Sequence, residues 1–347
     1  MDKLLSIVVP VYGVEPYIRQ CLDSLLVPEG RRPLLDVVVV NDGTLDRSAE
    51  IAREYEAEYP DTFRVVDQEN RGHGGAWNRG TELAAGKYLY YLDSDDWFDT
   101  DELSRLMDYL QTVDVDMVLT NSTVHYILKG WTERTSLKNM EPGVVYDANT
   151  YDWLHCGNGS NITYAHGTVY RTAMMKRYHP IFTEQVLYDD IILQVMPIMS
   201  AESFVYQPFN VYQYRKGRPG QSYDPVVWKQ RRGEVTVVVK DLLRFIEEHI
   251  AETPEASTRR AWAEEYYTRF CSHHYLELLR FPYRESRERL ADWDSFIGKK
   301  CKETDLSWSA RIYRSVCFPV YYYGIRSYSY LGKKLRTVKR KIACCHG

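Results

Sequence analysis

The chain has 347 residues, 44% of them apolar and 27% charged, with a formal charge of -4. That length accommodates a large α/β domain and a smaller second region, and the apolar content excludes an intrinsically disordered chain. The slight acidity argues against a general nucleic-acid binder, and seven scattered cysteines without a Cys-x-x-Cys pair exclude a disulfide framework and a zinc site.

Residues 4–9 read as a first strand, stopped by Pro10. Ile18, Cys21, Leu22, Leu25 and Leu26 then fall at helical spacing, with Pro16 near the start. Residues 37–40 are all valine, the composition of a strand buried on both faces. Asn41, Asp42, Gly43 and Thr44 follow it, and Thr44 or Asp46 can cap a helix running through Tyr55. Residues 63–66 read as a third strand, and residues 74–85 as a helix of small residues closed by Gly86. Residues 88–92 form an apolar, aromatic fourth strand. Leu103, Leu106, Met107 and Leu110 mark another helix, and residues 115–119 another strand. Strand and helix alternating at this spacing predict a mainly parallel α/β sheet covered on both faces.

Each strand ends in polar residues: Tyr12 after the first, Asp42 after the second, Asn70 to Asn78 after the third. The fourth ends in Asp93, Ser94, Asp95 and Asp96. Those ends lie on one edge of a parallel sheet, the edge where ligands bind. Three carboxylates so close repel one another unless a cation sits among them. A hard cation such as Mg²⁺ or Mn²⁺ takes oxygen ligands and shares them with a substrate phosphate. The convergence predicts a nucleotide site. The pattern argues against a dinucleotide-binding Rossmann enzyme, because its glycine fingerprint belongs after the first strand. Here that turn is Pro10-Val11-Tyr12-Gly13, and Gly72, Gly74 and Gly75 come later.

Residues 121–150 lack periodicity and read as an irregular excursion with a hairpin; residues 166–171 read as a short strand returning to the sheet. Ile191, Ile192, Val195 and Ile198 predict a helix with Asp189 and Asp190 in its first turn. From residue 226 onward the pattern is helical, with Val235, Val238, Val239, Leu242 and Leu243 on one face and a second helix over residues 261–279. His273 and His274 are adjacent, so on a helix their rings point apart and hold no metal together. Residues 306–342 alternate aromatics with basic groups such as Arg326, Lys333, Lys334 and Arg336, a pattern that suits an anionic membrane face or a helix with a solvated basic end.

The ordered motifs Ile7-Val8-Val9-Pro10-Val11-Tyr12, Asn41-Asp42-Gly43-Thr44-x-Asp46, Asn70-x-Gly72-x-x-x-Ala76-x-Asn78-x-Gly80 and Asp93-Ser94-Asp95-Asp96 resemble those of the inverting family-2 glycosyltransferases of the GT-A fold. The resemblance covers roughly the first 215 residues. It implies a Rossmann-like nucleotide-sugar domain over residues 1–222, with a nucleotide-sugar half (1–120) and an acceptor half (121–222), followed by a helical C-terminal region (223–347). Pro10, Val11, Tyr12 and Asp42 would hold the base, with Asp42 accepting from the ring N–H of uracil. Asp93 and Asp95 would bind the ribose and Mn²⁺ or Mg²⁺ on the diphosphate, with Ser94 beside them at the donor nucleotide. Asn70, Gly72 and Asn78 would line the diphosphate and donor sugar. The acidic pair Asp189-Asp190 matches the family's usual Glu-Asp, whose second member is the general base, so Asp190 would take the acceptor proton. Trp77 stands where many members have Arg. His73 is read as a phosphate contact or as a loop histidine, and His166 as facing the acceptor or as a core or surface histidine. Arg215 and Arg218, in a loop rich in glycine and cations, would fold over the diphosphate or carry plain surface charge.

The implied reaction moves a sugar from a nucleotide-sugar, of which a UDP-sugar is the first choice, to a glycan, polyol-phosphate or lipid-linked acceptor of a cell-surface polysaccharide or teichoic-acid-like polymer. The rivals are a catalytically dead binding protein of the same fold and a nucleotidyltransferase. The latter normally carries an Arg/Lys-bearing glycine loop after the first strand, which Tyr12-Gly13-Val14-Glu15 is not. Unpaired cysteines, an N-terminus without signal-peptide pattern and the lack of eighteen consecutive apolar residues predict a cytoplasmic protein, peripheral on the inner membrane face if the basic tail binds lipid.

Overall fold

Every residue of β1 (Leu5–Val11) is buried, as are six of the seven in β2 (Leu35–Asn41). Strands so apolar need neighbours on both edges and helices on both faces. They have them: β1 pairs in parallel with β2 on one side and with β4 (Tyr88–Tyr91) on the other, and β2 pairs in parallel with β3 (Phe63–Asp67). The covering helices are α1 (Ile18–Asp23), α2 (Ser48–Glu58), α3 (Gly72–Leu83) and α4 (Thr100–Leu110), the last following the short β5 (Trp97–Phe98). This is a computed structural model that describes residues 2–155, 163–222 and 224–298.

The sheet continues through β6 (Met117–Tyr126), β7 (Trp131–Arg134), β8 (Val145–Asp147), β9 (Thr168–Arg171) and the long β10 (Ser203–Lys216). Its order is β3-β2-β1-β4-β9-β6-β10-β5, with β7 on β6 and β8 on β10. The half β3-β2-β1-β4 is parallel throughout, and β9 enters antiparallel between β4 and β6. The carboxyl ends of β1, β2, β3 and β4 therefore share one edge. Helix α3 crosses β1 so closely that a Cβ on Gly80 would meet Val8 Cγ1 at 2.1 Å. At the opposite edge Asp36 is buried but paired with Arg64 at 2.9 Å, and hydrogen bonds from Ser6 and Arg64 outweigh burial and hold its pKa below the usual carboxylate range.

The structure refines three expectations. The excursion over residues 121–150 carries the hairpin β6–β7 and strand β8. His166 precedes β9 in a 3₁₀ turn, Ala165–Gly167, rather than lying in the strand. Asp189 and Asp190 open a 3₁₀ helix, Asp189–Gln194, instead of an α-helix; α6 (Met196–Ser200) starts anew after it. Pro197 is the cause, since it has no N–H for the Leu193 carbonyl and its ring clashes there.

The chain divides into two compact units, Met1–Ala263 and Glu264–Gly347. The first includes α5 (Thr172–Arg177), α7 (Pro225–Arg231) and α8 (Val235–His249), whose apolar face buries Val238, Val239, Leu242, Leu243 and Ile246. α9 (Thr258–Leu278) and α10 (Tyr283–Ile297) complete the described helices. In the second unit Trp293 packs on His274, with ring centroids 4.3 Å apart, while His273 is exposed, so the adjacent histidines do diverge. The basic aromatic tail, residues 306–342, lies outside the described residues.

Candidate active site

A cavity of about 500 Å³ opens at the shared carboxyl edge. It is lined by Pro10, Val11 and Tyr12 from β1 and its turn, Asp42 from the end of β2, and Asn70, Gly72, His73 and Trp77 from the start of α3. Asp93, Ser94 and Asp95 come from the end of β4, His166 from the turn before β9, and Asp189 and Asp190 from the 3₁₀ helix. Arg218 closes it from the loop after β10. The parallel topology thus brings residues far apart in sequence around one space.

The outer end sets an exposed aromatic ring beside a buried carboxylate. Tyr12 is half exposed at 54%, whereas Asp42 is buried. Asp42 Oδ1 accepts from Gln68 Nε2 at 2.7 Å and from the Arg71 backbone N–H at 2.8 Å. Asp46 ties the neighbouring turn together, accepting from the Ser48 hydroxyl and from the Glu15 backbone N–H; burial is outweighed by these donors, which hold its carboxyl at about 2. Asn70 Oδ1 accepts from the Gly72 N–H at 3.2 Å and stabilises the entry to α3.

The inner end is a chain of carboxylates and imidazoles. His73 sits between two acids, with Nε2 2.9 Å from Asp93 Oδ1 and Nδ1 2.9 Å from Asp189 Oδ2. A ring with both nitrogens against carboxylates carries both protons and is a cation. Burial opposes that charge, but Asp189 and Asp93 outweigh it and hold the His73 pKa well above its ordinary value. Burial likewise pushes Asp93 up, yet bonds to His166 and His73 bring its pKa well below the carboxylate range. His166 Nε2 lies 3.7 Å from Asp93 Oδ2, its ring stacked on Tyr214 at 4.5 Å. Asp96 turns inward: Tyr212 donates to its Oδ2 at 2.8 Å and the Arg215 N–H to its Oδ1 at 2.6 Å, while burial and the charges of Asp95 and Asp93 push its pKa well up.

Asp95 is capped by the loop after β10. Arg218 Nε and Gln221 Nε2 both donate to its Oδ2, the latter at 2.9 Å. Gly217 and Gly220 hold positive φ of 102° and 79° there, which only glycine adopts freely. Ligand atoms of Asp93, Asp96 and His166 lie within 4.8 Å of one another. Two carboxylates with one imidazole form a mixed oxygen and nitrogen donor set, which fits Mn²⁺ better than the oxygen-seeking Mg²⁺. Asp95 stands beside them with its Oδ2 engaged by Arg218.

Asp190 differs from its neighbour. Asp189 is buried and clamped by His73, whereas no hydrogen bond holds Asp190 among the described residues. Burial first, and then the adjacent Asp189, raise the Asp190 pKa to about 6. The segment reaches the cavity through Gln185 and Tyr188, both at positive φ (59° and 64°). It lies so close to α3 that a Cβ on Gly74 would meet Thr183 O at 2.4 Å and Asp189 Oδ2 at 2.9 Å.

Three of the predicted residues serve the scaffold. Asn78 does not line the cavity; it accepts from the Ile181 and Phe182 N–H groups at 2.9 and 3.0 Å and donates to Phe182 O at 2.8 Å. Arg215 lies behind the site, its Nε donating to Asp95 O at 2.8 Å and its guanidinium 4.8 Å from the Trp97 ring. Trp77 is 1% exposed and packs against His73 with ring centroids 4.1 Å apart, and against Tyr91 at 4.6 Å and Phe182 at 5.0 Å, so it supports the histidine from the core. Sequence reasoning missed Gln221, Tyr188, Tyr214 and Arg231, which also line the cavity. The paired glycines around Gln221 were a usable signal; nothing local marked Tyr188 or Arg231.

Residues 6–178 match the model of glycosyl transferase family 2. The uncharacterized glycosyltransferase EpsJ of Bacillus subtilis is 42% identical over 120 residues, 34% of this chain and 33% of that protein. The minor teichoic acid biosynthesis protein GgaA of the same species is 29% identical over 109 residues, 30% of this chain and 24% of that one. The chain thus matches a third or less of the length of these relatives. Among solved structures, S. aureus TarS 1-349 in complex with UDP-GlcNAc superposes with a TM-score of 0.64 at 18% identity, over 86% of this chain and 82% of that one. That likeness is one of fold.

Proposed function

The chain belongs to glycosyl transferase family 2, and from that premise we propose that it is a metal-dependent, inverting transferase that moves a sugar from a UDP-sugar to a hydroxyl of a cell-surface polysaccharide or teichoic-acid-like acceptor. The observation that carries this reading is the meeting of Asp42, Asp93, Asp95 and Asp190 around one cavity. Tyr12 offers a face for the base, and the remaining oxygen of Asp42 an acceptor for a ring N–H. Asp93, Asp96 and His166 would hold Mn²⁺, with Asp95 beside them. Such an ion supplies charge neutralisation for a leaving diphosphate. Arg218, already within the cavity, supplies a guanidinium for the same phosphates.

Asp190 is the general base. Its carboxylate takes the proton of the acceptor hydroxyl as that oxygen forms a bond to the anomeric carbon and the bond from that carbon to the diphosphate oxygen breaks. One displacement inverts the anomeric centre. Asp189, held by His73, keeps the 3₁₀ turn in place. Residues 1–222 would form the catalytic part. Measuring UDP release from a panel of UDP-sugars, with and without Mn²⁺, tests the reading: metal-dependent release lost in Asp190→Asn supports it, and release by neither protein overturns it.

A further inference from the structure

The hairpin β6–β7 presents an apolar tip that nothing in the catalytic reading uses. Leu128 is 84% exposed, Ile127 48% and Trp131 45%. Single exposed apolar residues are ordinary, but three within five positions are a patch. The turn is ordered: Lys129 and Gly130 N–H groups both donate to Tyr126 O, at 3.0 and 2.9 Å, and Gly130 takes a positive φ of 67°. Tyr126 and Trp131 stack at 4.2 Å. Two cations border the stack, Lys129 Nζ 5.2 Å from the Tyr126 ring and Lys216 Nζ 5.5 Å from it. The nearby acid, Glu133, accepts from the Tyr126 hydroxyl. All of β7 is exposed, and it pairs with β6 alone among the described strands.

We infer that this tip docks on an anionic lipid bilayer. Aliphatic groups at the apex, aromatics behind them and ammonium groups at their flanks match the layering of acyl chains, interface and anionic headgroups. A protruding tip of this composition suits a fluid surface, and its cations give the charge complement. The tip also adjoins the mouth of the cavity. Tyr126 pairs with Lys216 in the sheet, Leu128 packs 3.5 Å from the Cβ position of Gly217, and the next residue, Arg218, reaches Asp95. Docking there brings the cavity rim to the membrane face. The inference stands on the hairpin and is independent of the reaction assigned to the cavity.

The test is sedimentation of the full chain with phosphatidylcholine vesicles, with and without phosphatidylglycerol. Wild type should partition to the anionic vesicles and weaken as salt rises. Ile127→Ser with Leu128→Ser should lose at least about tenfold in partition. Lys129→Glu should weaken binding to the anionic vesicles alone. Both variants should melt as wild type does, because the altered side chains are on the surface. Absence of vesicle binding by wild type would overturn the inference, as would equal binding to neutral and anionic vesicles. Equal binding by wild type and the double variant would overturn it too, and would assign the contact to residues 306–342.

Discussion

Replacing Asp190 with Asn removes the base and leaves the shape of the turn. The structure sets the size of the effect. With its pKa raised to about 6 by burial and by Asp189, about a tenth of the molecules carry the Asp190 carboxylate at pH 5, and about nine-tenths at pH 7. kcat/KM for release of nucleoside diphosphate should therefore rise about tenfold between pH 5 and pH 7 and level off above. Asp190→Asn should lower it by about 10²–10⁴-fold and remove that acid limb. Stability should move the other way. The folded chain binds the Asp190 proton more tightly than the unfolded chain, so this group's contribution is complete below about pH 4 and lost as pH rises through about 6. At pH 7 the ionised, half-buried carboxylate costs up to about 3 kcal/mol, and Asp190→Asn should melt no lower than wild type. A flat profile between pH 5 and pH 7, or a variant that keeps more than about a tenth of the activity, would refute the assignment.

Arg218→Ala leaves Asp95 with Gln221 alone and removes a cation from the cavity; UDP should bind about tenfold more weakly while uridine, lacking phosphates, binds as before, both by calorimetry. Gly74→Ala places a Cβ against Thr183 O and Asp189 Oδ2; it should cost about 1–3 kcal/mol in chemical denaturation and reduce turnover by moving Asp189. Asn78→Ala leaves two N–H groups and one carbonyl at Ile181 and Phe182 without their partner, and should cost about 2–4 kcal/mol with a lowered melting temperature.

Much of the fold was legible because it follows from local composition and one topological rule. The valine run at 37–40 could only be a central strand, and parallel strands put Tyr12, Asp42, Asp93 and Asp95 on one edge without further information. What escaped depends on contacts distant in sequence. Arg218 reaches Asp95 from 123 residues away, and His73 reaches Asp189 from 116. No spacing rule links such positions. Asp96 reads as one more member of the acidic cluster, and no local pattern shows that Tyr212 and Arg215, 116 and 119 residues away, orient it. Gln185 and Tyr188 take left-handed backbone that favours Gly or Asn, so residue type gave no cue to the turn that presents the acidic pair. The break before α6 was readable from Pro197, but the apolar spacing on either side of it masked the stop.

The central claim, that this cavity is a nucleotide-diphosphate site organised by carboxylates, is tested most directly by calorimetric titration of UDP into wild type and Asp93→Asn, each with and without Mn²⁺. Binding to wild type should strengthen with Mn²⁺, and the variant should lose the metal-dependent part. Absence of UDP binding to wild type under either condition, or identical metal-dependent binding in both proteins, would contradict it.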